Sequence, residues 1–168
     1  MRALVLLAVL ATGPALAQPA NRCQSDDAAG LDFWVGTWDL AWERGGAPGG
    51  GTNTVTREHN GCVVHERFED AMGYAGESWS VRTPAGWRQT WVDNAGGYLV
   101  FEGTTDAAGR VTEMRTPPFQ NPAGQTQVSR MVWEDVTDEG LVWRWQASTD
   151  DGTTWADRWV IHYTRAEG

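Results

Sequence analysis

Trp87-Arg88-Gln89-Thr90-Trp91-Val92-Asp93 is the stretch whose reading decides the fold class. Its large rings recur at every second residue. Trp87, Gln89, Trp91 and Asp93 therefore share one face of an extended strand, and Arg88, Thr90 and Val92 share the other. The same period runs through Phe33-Trp34-Val35-Gly36-Thr37-Trp38. It recurs where Val64, Glu66 and Phe68 oppose Val63, His65 and Arg67, and where Leu141, Trp143, Trp145 and Ala147 oppose Val142, Arg144 and Gln146. Near the C-terminus Trp159, Ile161 and Tyr163 oppose Val160, His162 and Thr164. No segment carries a sustained helical period. A face that mixes Trp with Gln, Asp or Glu reads as the wall of a small-molecule cavity rather than a hydrocarbon core.

Turn signals separate these runs. Gly45 to Gly51 reads as a glycine-rich loop, and Asn60-Gly61 as a two-residue hairpin turn, because both residues tolerate positive φ. Pro84-Ala85-Gly86, Asn94-Ala95-Gly96-Gly97, Asp106 to Gly109, Asp138-Glu139-Gly140 and Asp150-Asp151-Gly152 follow. Pro117, Pro118 and Pro122 mark one longer irregular connection. The spacing predicts strands over 33–43, 52–59, 62–70, 75–82, 87–93, 98–104, 110–116, 126–136, 141–148 and 155–165. A meander of this length has two bare edges unless it closes. The expectation is an all-β chain forming a single antiparallel up-and-down β-barrel of about 8–10 strands.

The ends and the composition set the compartment. Arg2, the apolar run Ala3 to Ala11 and Ala15-Leu16-Ala17 predict a signal peptide over 1–17, cleaved after Ala17, and a periplasmic or secreted product. The apolar run is too short for a permanent span, which needs about 20 residues. No Cys follows the cleavage site, so no lipid anchor is expected. Residues 18–30 then form an N-terminal arm and 31–168 one barrel domain. The chain has a net charge of −9 and no lysine. That balance repels nucleic acid and anionic lipid and excludes Schiff-base chemistry. Neither a nucleic-acid partner nor a stable membrane anchor is expected, and the oligomeric state is open. Cys23 and Cys62, an even pair in an exported chain, predict a disulfide.

Gly36-Thr37-Trp38 resembles the Gly-x-Trp signature of lipocalins and the wider calycin superfamily. That resemblance implies that Trp38 closes the barrel base and that Arg165 stacks on it. Leu31 to Trp38, Asn60 to Glu66, Trp87 to Asp93 and Ser148 to Trp155 together resemble a bacterial secreted family of lipocalin-like barrels without an established activity. The resemblance spans nearly the whole mature chain and implies the fold, not a mechanism. Ser148-Thr149-Asp150-Asp151-Gly152-Thr153-Thr154-Trp155 matches the Ser-x-Asp-x-Gly-x-x-Trp pattern called the Asp-box. It is similar to hairpins of sialidases, and a single copy reads as a turn motif anchored by Asp150, Gly152 and Trp155.

The leading expectation is an exported protein that binds a small, partly apolar or aromatic molecule. The residues expected to line its cavity are Glu66, Trp87, Gln89, Trp91, Asp93, Arg130, Trp143 and Trp145. No cofactor or metal is implied, and no residue is assigned as catalytic. His59, Cys62 and His65 form an incomplete zinc set, and Asp150 with Asp151 an incomplete calcium set. Two alternatives stand beside the leading one. Glu66 or Asp93 would serve as acid or base in the same cavity, unless each is paired with a buried Arg130, Arg144 or Arg158. His162 would hold haem iron if it faced the barrel interior.

Overall fold

The structure, a computed structural model, describes residues 26–167. The signal peptide, most of the N-terminal arm and Cys23 lie outside the described residues. A 3-10 segment, Asp26–Trp34, leads into β1 (Gly36–Arg44), β2 (Ala47–Glu58), β3 (Val63–Asp70), β4 (Ala75–Thr83), β5 (Gly86–Asp93) and β6 (Tyr98–Thr105). Then come β7 (Val111–Arg115), β8 (Phe119–Gln120), β9 (Thr126–Glu134), β10 (Gly140–Ser148) and β11 (Ala156–Arg165). All pairings are antiparallel. β1 to β7 run in order, β9 follows β7, β10 and β11 follow β9, and β11 returns to β1 through Trp38↔Arg165 and Leu40↔Tyr163. The result is the up-and-down barrel expected, with ten strands in the ring. Closure leaves no ladder unpaired. The two residues of β8 lie outside the ring, paired to β9 through Phe119↔Gln127.

Three local readings are corrected. Phe33 and Trp34 leave the strand for the 3-10 segment, because β1 begins only at Gly36, whose φ of +142° breaks the extended run. Most of the expected loop at Gly45–Gly51 is strand: Arg44 pairs with Ala47 and Glu43 with Pro48, leaving only Gly45-Gly46 as the turn. Both glycines have positive φ (62° and 80°), which suits a tight turn between twisted strands. Asn60-Gly61 is not a two-residue turn. Glu58 pairs with Val63, so four residues form the connection, and His59 and Cys62 are not strand partners. Cys62 is not free, and its expected partner lies outside the described residues.

The 3-10 segment plugs one end of the barrel. Leu31 and Trp34 are fully buried there, and the Trp34 ring meets Trp133 edge-on at 5.3 Å. Above them Trp38 Nε1 donates to Trp34 O at 2.8 Å. Arg165 lies over the Trp38 ring, its guanidinium carbon 3.7 Å from the ring centroid. Its Nη1 donates to Val35 O at 2.8 Å and its Nε to Asp138 O at 3.1 Å. A Cβ at Gly36 would collide with that guanidinium, so glycine is required by space as well as by φ. One cation therefore ties β1, the β9–β10 turn and the last strand together at the closed end.

At the opposite end the Asp-box forms the β10–β11 turn. Asp150 accepts from Ser148 Oγ at 2.6 Å, Thr154 N at 2.9 Å and Thr154 Oγ1 at 2.6 Å. These donors lower its pKa to about 2. Trp155 lies under Arg130, whose guanidinium carbon is 4.1 Å from its ring centroid.

Candidate functional site

The inner faces of the strands enclose a cavity of about 180 Å³. Its floor is polar. Asn53 on β2, Glu66 on β3 and Ser78 on β4 stand in adjacent ladders, because Asn53 pairs with Phe68 and Glu66 with Ser78. Glu66 Oε1 accepts from Asn53 Nδ2 at 2.8 Å and Oε2 accepts from Ser78 Oγ at 2.6 Å. The same Asn53 amide donates to Tyr163 Oη at 3.0 Å. All four side chains are buried. Every partner of Glu66 is neutral, and burial pushes its carboxyl pKa up to about 7 against the two hydrogen bonds that favour its charged form. Burial raises the Tyr163 phenol as well, and the nearby Glu66 charge adds to it.

The walls are aromatic. Phe68, Trp91, Phe101, Trp143, Trp145 and Trp159 line them, with Leu99, Met131 and Ile161 between. Trp143 and Trp145 lie parallel (7° between ring planes, 6.4 Å apart), and Trp159 meets Trp143 edge-on at 6.1 Å. Trp159 stands opposite Trp145 on the neighbouring strand, beside a bulge at Trp145/Gln146. Phe68 meets Trp91 and Trp159 edge-on, so the rings support one another. The indole Nε1 of Trp159 is buried with no hydrogen-bond partner in the described residues.

The rim belongs to Asp93 and Tyr74. Asp93 accepts from Trp91 Nε1 (2.9 Å), Tyr74 Oη (3.0 Å), Ala95 N (2.9 Å) and Gly97 N (2.8 Å). Burial alone would raise its pKa. The four donors outweigh burial and leave it below the usual carboxylate value. The same contact holds Tyr74, whose phenol burial and the Asp93 carboxylate push up to about 12. Asp93 thus orients two rings of the mouth while remaining ionised. The two carboxylates of the cavity differ in state, one buried and near neutrality, the other charged and saturated with donors.

Of the eight residues expected in the cavity, Glu66, Trp91, Asp93, Trp143 and Trp145 line it. Trp87 and Gln89 face inward as expected but sit outside the cavity lining. Trp87 is packed near Gly30 and Gly103 at the plugged end, and Gln89 donates to Ser80 Oγ at 2.9 Å. Arg130 departs from the expectation altogether. It points outward between Gln146 (2.7 Å), Glu113 (2.8 Å) and the Trp155 ring. On β9 the residues beside it, Ser129 and Met131, take the buried side. Arg144 pairs with Glu134 and Asp157 on the outer side, and Arg158 is exposed. No ion pair joins Glu66 or Asp93 to an arginine among the described residues.

Asn53, Ser78 and Tyr163 belong to the site without having been expected there. Ser78 and Ser80 are buried while Trp79, between them, faces outward and stacks on His65 at 3.6 Å. The hydrophobic alternation of β4 is thus inverted, because its inner face must leave room for Trp91 and supply a donor to Glu66. The signal available was Glu66 itself, since an inward carboxylate demands donors on the flanking strands.

The histidines stand apart from the cavity. His65 is buried on the outer side of β3 and bonds Glu77 at 2.8 Å. His162 is exposed on β11. It cannot reach the cavity from there, and the haem alternative lapses. Among the described residues no group of three or more His, Cys, Asp or Glu is placed to hold a metal ion.

No family model and no curated protein matches the chain. Among solved structures, a de novo designed fluorescence-activating β-barrel aligns over 83% of this chain and 98% of its own, at 13% identity and a TM-score of 0.42.

Proposed function

We propose that this protein is an exported binder of one small, partly apolar molecule, held inside the barrel between the aromatic walls and the Glu66 floor. The observation that carries the reading is the hollow itself. A packed interior leaves few voids larger than a water molecule, and the space here is about 180 Å³. Apolar cavities of about 150 Å³ take up benzene, so the volume suits a single ring or a compact group of that size. Export after cleavage at Ala17, the Cys23–Cys62 disulfide and kinship with secreted lipocalin-like barrels are part of the same proposal. They rest on the sequence features described above. Gentle purification followed by native mass spectrometry should show a co-purified mass, and small aromatic probes should quench or shift tryptophan fluorescence saturably. Fluorescence that stays unchanged across a panel of ring-sized probes, with the protein folded, would remove the reading.

A second reading has its own support in Glu66. A buried carboxyl with a pKa of about 7 is poised for proton transfer near neutrality. As a catalyst it would give Glu66→Gln no turnover while leaving ligand affinity intact. An equal loss of both would assign Glu66 to binding alone.

A further inference from the structure

Resting on that binding reading, we infer that the ligand is a small organic cation, an alkyl- or arylammonium group, caged by the tryptophans and neutralised by Glu66. The lining of the space is aromatic and acidic. It holds two carboxylates, Glu66 at the floor and Asp93 at the mouth, and no Arg, Lys or His. An organic anion would have no counter-charge and would meet two like charges. A neutral hydrocarbon would leave the floor unused, and a purely apolar cavity would serve it better, since burying a carboxyl among neutral partners is costly. A cation satisfies both parts of the lining. Indole faces carry the negative side of the ring quadrupole, and several such faces around one ammonium form the arrangement that recognises quaternary nitrogen.

The lining sets several aromatic rings around the space. Trp143 and Trp145 stand parallel on β10, Trp159 sets its ring at 89° to Trp143, and Phe68 and Trp91 close the opposite wall. Trp91 is fixed by its own bond to Asp93, so the wall nearest the mouth is held in place before a ligand arrives. Asp93 stays ionised at the rim, and the whole chain is acidic. Both draw cations toward the entrance. The trimethylammonium group is of benzene's size class, which the cavity admits.

Glu66 gives the inference a pH signature. Among the groups packed around its carboxyl, Asn53 on β2 and Ser78 on β4 are neutral, and Tyr163 on β11 is the one titratable neighbour. Asp93 and Tyr74 stand at the rim. Apart from Asp93, the last residue of β5, the other strands lining the cavity contribute uncharged side chains: Trp91 from β5, Phe101 from β6, Met131 from β9, Trp143 and Trp145 from β10. A cation entering this space favours ionised Glu66, so binding should release a proton in the range where the free protein holds it.

The test compares phenyltrimethylammonium with tert-butylbenzene, its neutral counterpart of the same shape, and with benzoate. Each is titrated into the full-length mature protein by tryptophan fluorescence. At about pH 8 the cation should bind at least about tenfold tighter than tert-butylbenzene, with benzoate weakest. The advantage should shrink as pH falls below about 6, where Glu66 is protonated in the free protein. Glu66→Gln should lose most of the cation's preference over tert-butylbenzene. Equal or tighter binding of tert-butylbenzene by the wild-type protein overturns the cation while leaving the cavity a binding site. If none of the three binds while benzene does, the cation falls and the cavity remains a binding site; if benzene also fails to bind the folded protein, the binding reading fails and the cation with it. Wild-type selectivity and its pH dependence need no variant, so a poorly folding Glu66→Gln would not shield the inference.

Discussion

Glu66 shows how one residue can set both the chemistry and the stability of an interior. Its carboxyl is solvated in the unfolded chain and buried among neutral donors in the folded one. The folded protein therefore holds a proton that the unfolded chain releases between pH 4.5 and about 7. Below that window Glu66 is neutral in both states and costs no ionisation. As pH rises through it, the folded state loses stability relative to the unfolded, by roughly 3 kcal/mol in all. Glu66→Gln keeps a side chain that can both donate and accept, and it removes the titration. Urea unfolding should show the variant more stable than wild type at about pH 8, with the difference gone by about pH 4. A difference that does not vary with pH would mean that Glu66 titrates as an ordinary carboxylate. Arg165 makes the contrasting point. Its charge is placed over Trp38 and two backbone carbonyls, and the residue that permits the approach is Gly36.

At the scale of elements, alternation was a good guide where both faces obeyed it. The inward sets Trp87/Gln89/Trp91/Asp93, Leu141/Trp143/Trp145/Ala147 and Trp159/Ile161/Tyr163 follow the two-residue period directly. The period holds on β4 too, but the sign is reversed. Ser78 and Ser80 go inside and Trp79 outside. Composition could not show that reversal, because it depends on which side of β4 faces Trp91 and Glu66. The turns divide in the same way. Gly45-Gly46 lies within a run of five Gly and two other residues at 45–51, and only the pairing of Arg44 with Ala47 identifies the two that turn. No atom approaches within 4 Å of a Cβ built on Gly46, so a methyl there meets no steric neighbour. Gly46→Ala should therefore cost about 1–2 kcal/mol, through the left-handed backbone alone. Gly45→Asn should cost less, since Asn tolerates positive φ. Chemical denaturation of the two variants checks the order, and a neutral Gly46→Ala would refute the turn geometry.

On the scale of the whole molecule, ring closure turns a list of strands into a vessel. Ten strands leave a hollow at one end because the other is filled by Leu31, Trp34 and Trp38. The 3-10 segment that carries Leu31 and Trp34 begins close after Cys23, so the proposed disulfide to Cys62 would hold the plug's approach against the β2–β3 connection. Closing about 40 residues of chain restricts the unfolded state by roughly 3–4 kcal/mol in the loop-entropy model. The native protein should react with no thiol reagent until denatured and reduced, and reduction should lower its unfolding free energy by about that amount. Two titratable thiols in the native protein would exclude the bond.

The sequence by itself determined the strand period, the meander and the need to close it, because backbone alternation and turn chemistry are local. It also singled out Gly36, Trp38 and Arg165 as a set, and Asp150, Gly152 and Trp155 as a hairpin. Only the tertiary structure decided that Arg130 faces outward, that Asn53 and Ser78 attend Glu66, and that His162 lies outside the cavity. Those facts depend on which strands become neighbours and which side of each meets the interior. Distant residues acquire common surroundings only when the sheet closes, and the charge state of Glu66 is a property of those surroundings.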